Sequence, residues 1–546
     1  MAIILLLISL FPLLSLLHPG LPITHDGQDH VARIANFYLS LSEGNLIPRW
    51  AANLNWGFGT PILMFLYPLP SYIASFFHWI GFTFVDSTKL VFGTTLIASV
   101  FAMYLWLCRA YGKTAGFVGA LLYGFAPYRF VDLYVRGALG EHVAFIFPPV
   151  ICWGLLTLAT SRFPSVLPTL AVSLGTAGLL LSHNALSLIF LPLIFLYVLY
   201  LFLFETKDKA RFIVQSLWFM TLGFLVSAFF WAPAFFEGKY TLRDIVTKGE
   251  FTDRFVPWLQ FFTSSWNYGG GNEFSKEVGF LHWLGIVGSL IVLFKTKVKK
   301  VRVVISVLLI TFFISLFLMV ERSRFFWNTI TVMQKFQFPW RLLSVTVFAS
   351  SILGAIVVAS LPKKLTLPVT IFTLFMTFVY TRPMWAPKGY LVKPESFYTG
   401  IYNSTTDTGE SSPIWSVRFM EKQSPRPYEV LEGNATLTSG TRTTTKHTFS
   451  VDANIKSRLS DNTLYFPGWN VFVDGKALDP NREILYQDPQ YRGLMTFWVE
   501  PGKHAVFVTF EETKLRKLAD YASLVGLLLL VATVTIRKPL LWPKFP

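Results

Sequence analysis

Cysteine is nearly absent: two thiols in 546 residues, Cys108 and Cys152, both inside apolar stretches. Two such thiols supply neither a disulfide framework nor a metal-ligand spacing, which sets aside small secreted scaffolds and zinc modules. Charge is scarce as well. Asp, Glu, Lys and Arg make up 14% of the chain against 53% hydrophobic residues, too apolar a balance for a soluble globule. Ionisable groups are almost missing from the middle of the apolar runs. Ion-coupled transporters and proton pumps usually need such groups at depth, so their absence lowers that class. The glycine-rich stretch from Trp266 to Asn272 lacks a following Lys-Ser/Thr, so it is no nucleotide P-loop; it reads as a linker, with closure over a substrate as the alternative. The net charge is +16, but the basic residues sit in short loops between apolar runs and form no aromatic-interleaved stripe. They read as topology signals, and no nucleic-acid partner is expected.

What the chain has in abundance is apolar length. Runs occur at 2–17, 89–108, 114–127, 142–160, 164–181, 185–204, 212–236, 279–294, 303–320, 340–361, 365–380 and 518–536. About 20 residues of helix cross a bilayer core of roughly 30 Å, so these predict an all-α polytopic protein with about twelve transmembrane helices. The run 62–82 is interrupted by Pro68 and Pro70 and is read as a re-entrant or juxtamembrane helix. With it outside, Arg109/Lys113, Arg162, 207–211, 295–302, Lys363/Lys364 and Arg537/Lys538 all fall on one side, as the positive-inside rule asks. Both termini are then cytoplasmic, in a multi-pass protein of the plasma membrane whose first run is a retained span.

The expected organisation is a transmembrane domain over 1–381 with external loops 18–88 and 237–278. An extracellular or periplasmic β-sandwich follows over 382–517, then a last helix and tail over 518–546. Alternation at 444–451 and 494–499 predicts strands. Asp474-Gly475 and Pro501-Gly502 predict hairpin turns, the second joining 495–499 to 505–510.

Polar residues gather at one set of run ends. Directly after the first run comes Thr24-His25-Asp26-Gly27-Gln28-Asp29-His30, then Arg33. Two carboxylates and two imidazoles beside a membrane surface offer a general base, or ligands for a divalent cation. The competing structural reading makes Asp26 the N-cap of a helix starting near Gly27. A second group, Tyr128-Arg129, Asp132, Tyr134, Arg136, Glu141 and His142, leads into 142–160, where Glu141 would also complement a helix dipole. His183-Asn184 fits a tight external turn, where a histidine serves as a hydrogen-bonded turn residue or as a catalyst. Gln337-Phe338-Pro339-Trp340-Arg341 opens another run, either as interfacial anchor or for phosphate recognition, since a guanidinium meets two phosphate oxygens at once.

In this order the residues resemble the GT-C superfamily of polyprenyl-phosphate-dependent glycosyltransferases: one span, a long external loop with an early Asp, juxtamembrane helices, many more spans, then an external domain. Within it, His25-Asp26-x-x-x-His30-x-x-Arg33 is similar to the first-loop motif of the YfhO-like membrane proteins. So are Pro48-Arg49-Trp50, Asn55-x-Gly57-x-Gly59-x-Pro61, Tyr67-Pro68-x-Pro70 and Tyr134-x-Arg136-Gly137-Ala138-Leu139-Gly140-Glu141. Gln337 to Arg341, Pro467-Gly468-Trp469 and Asp474-Gly475-Lys476 complete the likeness. The group it looks most like is the one labelled 6-pyruvoyl-tetrahydropterin-synthase-related, although no His-rich zinc set of a pterin enzyme is present.

The resemblance implies transfer of a hexosyl or pentosyl unit from a polyprenyl-phosphate donor to a glycan, lipid or protein acceptor of the cell envelope. It implies Asp26 as general base with Asp29 as its rival, and Glu141 as a second carboxylate orienting the acceptor or a metal. His30, Arg33, Arg136, His183 and Arg341 are the implied substrate-binding set, with Arg341 and Arg136 stabilising the departing phosphate. The lipid tail would lie between spans. Metal dependence is left open, with Mg or Mn as the divalent cation it would allow. Two other classes remain: a lipid or polysaccharide transporter, which needs a continuous polar path, and a non-catalytic envelope assembly protein, which predicts that Asp26, Glu141 and Arg341 lie far apart. The enzyme requires them to converge.

Overall fold

The computed structural model describes residues 1–161, 166–271 and 273–536, so Arg162, Asn272, Arg537 and Lys538 lie outside the described residues. The helices are α1 (Ala2–Leu10, prolonged by a 3-10 stretch Phe11–Leu17), α2 (Gly27–Ser42), α3 (Leu69–Trp79), α4 (Phe84–Tyr111) and α5 (Lys113–Gly124). Then come α6 (Leu139–Thr160), α7 (Val166–Ser182), α8 (Asn184–Phe204), α9 (Lys209–Val226), α10 (Ala228–Phe236) and α11 (Phe280–Lys295). The series ends with α12 (Lys299–Met319), α13 (Pro339–Ala359), α14 (Lys363–Met384) and α15 (Lys514–Ile536).

Eight of these, α4, α6, α8, α9 and α12 to α15, are long and apolar enough to cross a membrane, and this is a multi-pass membrane protein. The stretches 2–17, α7 and α11 are apolar but shorter, and α5 has 12 residues. The run 62–82 breaks into two short helices, Ile62–Phe65 and α3, as its prolines require. The run 212–236 also breaks, at Ser227. There the serine hydroxyl donates to the Gly223 carbonyl (2.9 Å) and the Trp231 indole to the Phe224 carbonyl (2.8 Å), ending α9 and starting α10.

α13 is the most enclosed of the long helices. Small residues let its neighbours close in: a Cβ on Gly354 would stand 2.4 Å from Leu122 of α5, and one on Gly119 3.1 Å from the Ser351 carbonyl. This packing holds the helix whose opposite end carries Arg341.

In chain order the strands are β1 (Leu21–Pro22), β2 (Tyr390–Leu391), β3 (Tyr428–Glu432), β4 (Ala435–Arg442), β5 (Lys446–Ala453) and β6 (Ser457–Leu464). β7 (Trp469–Val473), β8 (Lys476–Ala477), β9 (Leu494–Val499) and β10 (Gly502–Phe510) follow. β1 pairs with β2, tying the first loop to the segment after α14. Near the C-terminus a five-stranded sheet, β4-β5-β10-β7-β8, faces a three-stranded one, β3-β6-β9. Phe449, Val451, Val471 and Val508 from the first share one buried cluster with Leu459, Met495 and Phe497 from the second. Trp50, Phe58 and Phe65 of the first loop join the same cluster, and Trp50 meets Trp469 edge-on at 5.4 Å.

Asp474 and Gly475 form a two-residue hairpin loop with positive φ at both positions, as read from sequence. Pro501-Gly502 does not. β9 pairs with β6, while β10 pairs with β5 and β7, so this turn carries the chain from one sheet to the other. Buried ion pairs finish the junction: Arg49 with Glu512 and Asp520, and Arg516 with Glu237.

Candidate active site

Asp26 stands at the N-terminus of α2, yet its side chain makes no capping hydrogen bond. The local reading of Asp26 as a cap therefore covers its position and leaves its carboxylate unexplained. Backbone bonds hold it instead: the His25 N–H donates to the Val135 carbonyl (3.0 Å) and the Asp26 N–H to the Arg136 carbonyl (2.9 Å). This clamp depends on Gly137. Its φ is +66°, and a Cβ there would meet the Thr24 hydroxyl at 2.3 Å. The Asp26 side chain is open to solvent although it sits deep among protein atoms, as a group facing an internal recess does. Burial raises its carboxyl above the usual carboxylate range, against the pull of Arg136, His25 and Arg33.

The rest of the first-loop motif is more committed. Asp29 accepts from the Tyr402 hydroxyl at 3.1 Å, and its carboxyl is likewise raised by burial. Arg33 donates through Nε to the Thr406 hydroxyl (3.1 Å), through Nη2 to the Thr406 carbonyl, and through Nη1 to His30 Nδ1 (3.2 Å). Burial and the Arg33 charge hold His30 well below the usual histidine range, so it is a neutral acceptor for that guanidinium. Arg33 therefore staples α2 to the segment around Thr406.

Glu141 sits at the centre of the second group, fully buried. Its Oε1 accepts from Arg136 Nη2 and from Arg341 Nε, both at 2.8 Å, and its Oε2 accepts from the Tyr128 hydroxyl at 2.8 Å. Arg136 also pairs with Asp132 (2.8 Å) across a π-helical stretch, Val131–Arg136, a local widening often found at functional sites. Arg341 Nη1 is held by the Phe336 carbonyl and the Gln337 side chain, both at 2.7 Å. His183 lies 3.9 Å from Glu141, and its Nδ1 accepts the Leu186 N–H (3.2 Å), capping α8. Its imidazole is pushed down to about 3 by burial and by Arg341. Its ring stacks on Tyr67 at 5.0 Å, and the Tyr67 hydroxyl feels Asp26, Arg33, Glu141 and Arg341 together. Asp26, Arg136, Glu141, His183 and Arg341 are thus brought together with Tyr67 around the recess that Asp26 faces, whereas Asp29, His30 and Arg33 bond to Tyr402, to Thr406 and to each other.

Of two further walls, the first had no role in the sequence reading and the second was read there chiefly as a linker. Gly400 to Met420 lies against the first loop through Tyr402, Ser404 and Thr406, and Gln337 donates to Glu410 at 2.9 Å. The glycine-rich loop is the other: the Tyr268 carbonyl bonds the His25 ring (3.1 Å), Phe274 packs on that ring, and Lys276 points to Trp340. Tyr67 was legible as a motif residue only. Among the described residues no three His, Cys, Asp or Glu side chains are grouped as a metal site requires.

No protein-family model matches the chain. An uncharacterized protein of Lactococcus lactis subsp. cremoris is 27% identical over 254 residues, which is 44% of this chain and 41% of that protein. Among solved structures, arabinofuranosyltransferase AftD from mycobacteria superposes with a TM-score of 0.44 at 14% identity, covering 72% of this chain and 28% of AftD. ArnT from Cupriavidus metallidurans, solved bound to undecaprenyl phosphate, gives 0.41 at 14% identity, covering 73% of this chain and 67% of ArnT. The chain thus spans well under half the length of the Lactococcus protein and of AftD.

Below the recess lies an apolar cavity of about 240 Å³ between α8 and α12, floored by α13. Trp106, Phe190, Ile194, Val307, Phe348 and Ile352 are among its lining residues. Phe190 and Phe348 stand about 10 Å further along the helices that His183 caps and Arg341 opens.

Proposed function

We propose that this protein is a GT-C-type glycosyltransferase of the YfhO-like kind, transferring a sugar from a polyprenyl-phosphate donor to a cell-envelope acceptor on the outer face of the membrane. The observation that carries this is the Asp26 carboxylate: uncapped, open to the recess, and clamped by backbone beside the Glu141-bridged arginines. Sidedness follows from charge. The ends of α4, α8, α11 and the start of α14 opposite the recess carry Arg109, 207–211, 295–302 and Lys363/Lys364, which reads as the cytoplasmic side and puts recess and sheets outside.

In this reading Asp26 accepts the proton of an acceptor hydroxyl as its oxygen attacks the anomeric carbon. The bond from that carbon to the phosphate oxygen breaks, and the phosphate stays on the lipid. Such a leaving group is a weak base, so no strong acid is required. Among the described residues the hydrogen bonds of Arg341 run through Nε and Nη1, which leaves Nη2 to meet the developing phosphate charge. Glu141 holds Arg136 and Arg341 in place and is a positioning residue. Tyr67 is set to orient sugar or acceptor, and the apolar cavity suits a prenyl tail.

The test is sugar transfer in proteoliposomes from a panel of polyprenyl-phosphate sugars, comparing parent with Asp26→Asn. Turnover that collapses in a folded variant is expected. Unchanged turnover moves the base to Asp29, and no parental turnover across a broad panel overturns the enzyme reading. Because burial raises the Asp26 carboxyl, the ionised base accumulates only above the ordinary carboxylate value of 3.8, so kcat/KM rises with pH through an acid limb displaced upward from there.

A further inference from the structure

Lys276 is a buried cation without a counter-charge among the described residues. It is 1% exposed, and its ammonium makes one protein hydrogen bond, to the Phe274 carbonyl at 2.7 Å. An ammonium has three donors; the Phe274 ring lies under this one at 3.2 Å, and the remaining donors meet no hydrogen-bond acceptor among the described residues. Among the described residues no ion pair involves Lys276 or Arg254. The charges acting on Lys276 are Arg136 and Arg254, both positive. With burial, they push its ammonium down to about 7.

The surroundings are built, not incidental. Phe338 and Trp340 stack at 4.6 Å with their planes 6° apart. Arg341 sits over Phe338 (4.9 Å), Arg254 over Phe338 and Trp340 (5.8 and 5.9 Å), and Lys276 over Trp340 (5.2 Å). Three cations thus ring one aromatic pair. Glu141 is shared by Arg136 and Arg341, and Asp132 backs Arg136, so much of that charge is already met inside the protein. Glu250 acts on Arg254, Arg341 and Arg418, and no carboxylate plays that part for Lys276. Like charges gathered in a water-poor wall are costly unless an anion joins them.

We propose that Lys276 and Arg254 form a phosphate-binding wall of this recess, in which a bound phosphate group supplies the anion that the protein omits. The lipid source of that phosphate rests on the glycosyl-transfer reading; the phosphate chemistry does not. Binding has a proton signature. The anion favours the ammonium form, so a lysine half neutral near pH 7 takes up about half a proton on binding at pH 7 and close to one at pH 8.

Titration calorimetry of the full chain in nanodiscs, in two buffers of different ionisation enthalpy, reads this directly. The probes are undecaprenyl phosphate and, separately, inorganic pyrophosphate. Lys276→Gln is expected to weaken binding roughly tenfold to a hundredfold, the range for a lost charge-assisted contact. Lys276→Arg keeps binding within a few-fold and loses the extra proton uptake between pH 7 and 8, because a guanidinium stays charged. Undecaprenyl phosphate that binds Lys276→Gln as tightly as the parent, with the same uptake, overturns the proposal and leaves the enzyme reading standing. Lys276-dependent binding of pyrophosphate without binding of the lipid keeps the phosphate wall and removes its lipid source. No binding of either probe to the parent overturns the wall.

Discussion

Replacing Glu141 by Gln asks how much one buried carboxylate does. Arg136 Nη2 and Arg341 Nε both lie 2.8 Å from the same oxygen. The two guanidiniums are thus held roughly 5 Å apart, and two unit charges at that distance repel by about 3 kcal/mol at an effective dielectric of 20. Glutamine keeps an acceptor but removes the charge, and its amide hydrogens face the same cations. Breaking a buried pair by deleting one partner generally costs about 3–5 kcal/mol, which agrees with the Coulomb figure. Thermal unfolding in nanodiscs should show a destabilisation of about 3 kcal/mol. Turnover should fall at least about a hundredfold, as Arg341 loses the geometry that meets the phosphate. The second half of the cycle is Glu141→Gln with Arg341→Gln. Removing one of the two repelling cations should return much of the stability but none of the activity. A Glu141→Gln variant that is within about 0.5 kcal/mol of the parent and turns over normally would refute the account of Glu141 as the keystone of this recess.

Gly137→Ala should cut kcat while leaving helix content intact, because the Cβ meets Thr24 at 2.3 Å at a φ of +66° and displaces the Asp26 clamp. Adding Thr24→Ala removes the collision, and recovery of part of the rate is the check. Asp461 is fully buried between His447 and Arg442, whose charges hold its carboxyl down to about 2 against the opposing effect of burial. A depressed carboxylate stabilises the fold above its unfolded value of 3.8 and loses that as pH falls through the folded value. The C-terminal sheets should therefore lose on the order of 2 kcal/mol between pH 5 and pH 2, and Asp461→Asn should remove that pH dependence in hydrogen exchange. Val307→Trp, reaching into the 240 Å³ cavity, should raise KM for a long-chain donor roughly tenfold and leave a short-chain donor unaffected.

The membrane body was legible because apolar run length is a one-dimensional signal, and most of the long runs became helices, the run 212–236 dividing into two. Local chemistry located the Asp474-Gly475 turn for the same reason. It failed at Pro501-Gly502, where turn residues say that the chain reverses but not which sheet the next strand joins. Ser227 breaks an apolar run through its own hydroxyl, and composition carries no trace of that. The candidate site was legible where residues sit together in sequence, as in 24–33 and 134–141. Its other walls were not. Tyr402 reaches Asp29 and Thr406 reaches Arg33 across 373 positions, and nothing in the sequence around Lys276 signals that it is buried. Glu141 was read as a second catalytic carboxylate, and only the geometry points to its holding two arginines.

The polar network also has a floor, and that bears on transport. Below Glu141 the chain of polar contacts runs through Arg136 and Asp132, and beside it Arg129 bonds Ser99 while His142 bonds the Phe92 carbonyl. Under these lies an aromatic layer. Phe348 contacts Trp106, Tyr123 and Phe190 at 5.4 to 6.2 Å, and Tyr123 contacts Phe145 at 5.6 Å. The Tyr123 hydroxyl is spent on the Phe145 carbonyl, and Trp106 donates to the Tyr197 hydroxyl, so the layer keeps few free polar groups. The Arg129 guanidinium lies over Phe145 with Nε and Nη1 unpartnered among the described residues. Apart from it, a hydrated sugar crossing here would lose its water and gain few hydrogen bonds, at several kcal/mol for each unpaired group. A prenyl chain meets no such penalty, and the cavity bordering this layer is apolar and lies between spans. The same side chains that close the path to a polar substrate therefore suit the tail of a lipid donor, whose phosphate they would leave at the level of Arg341.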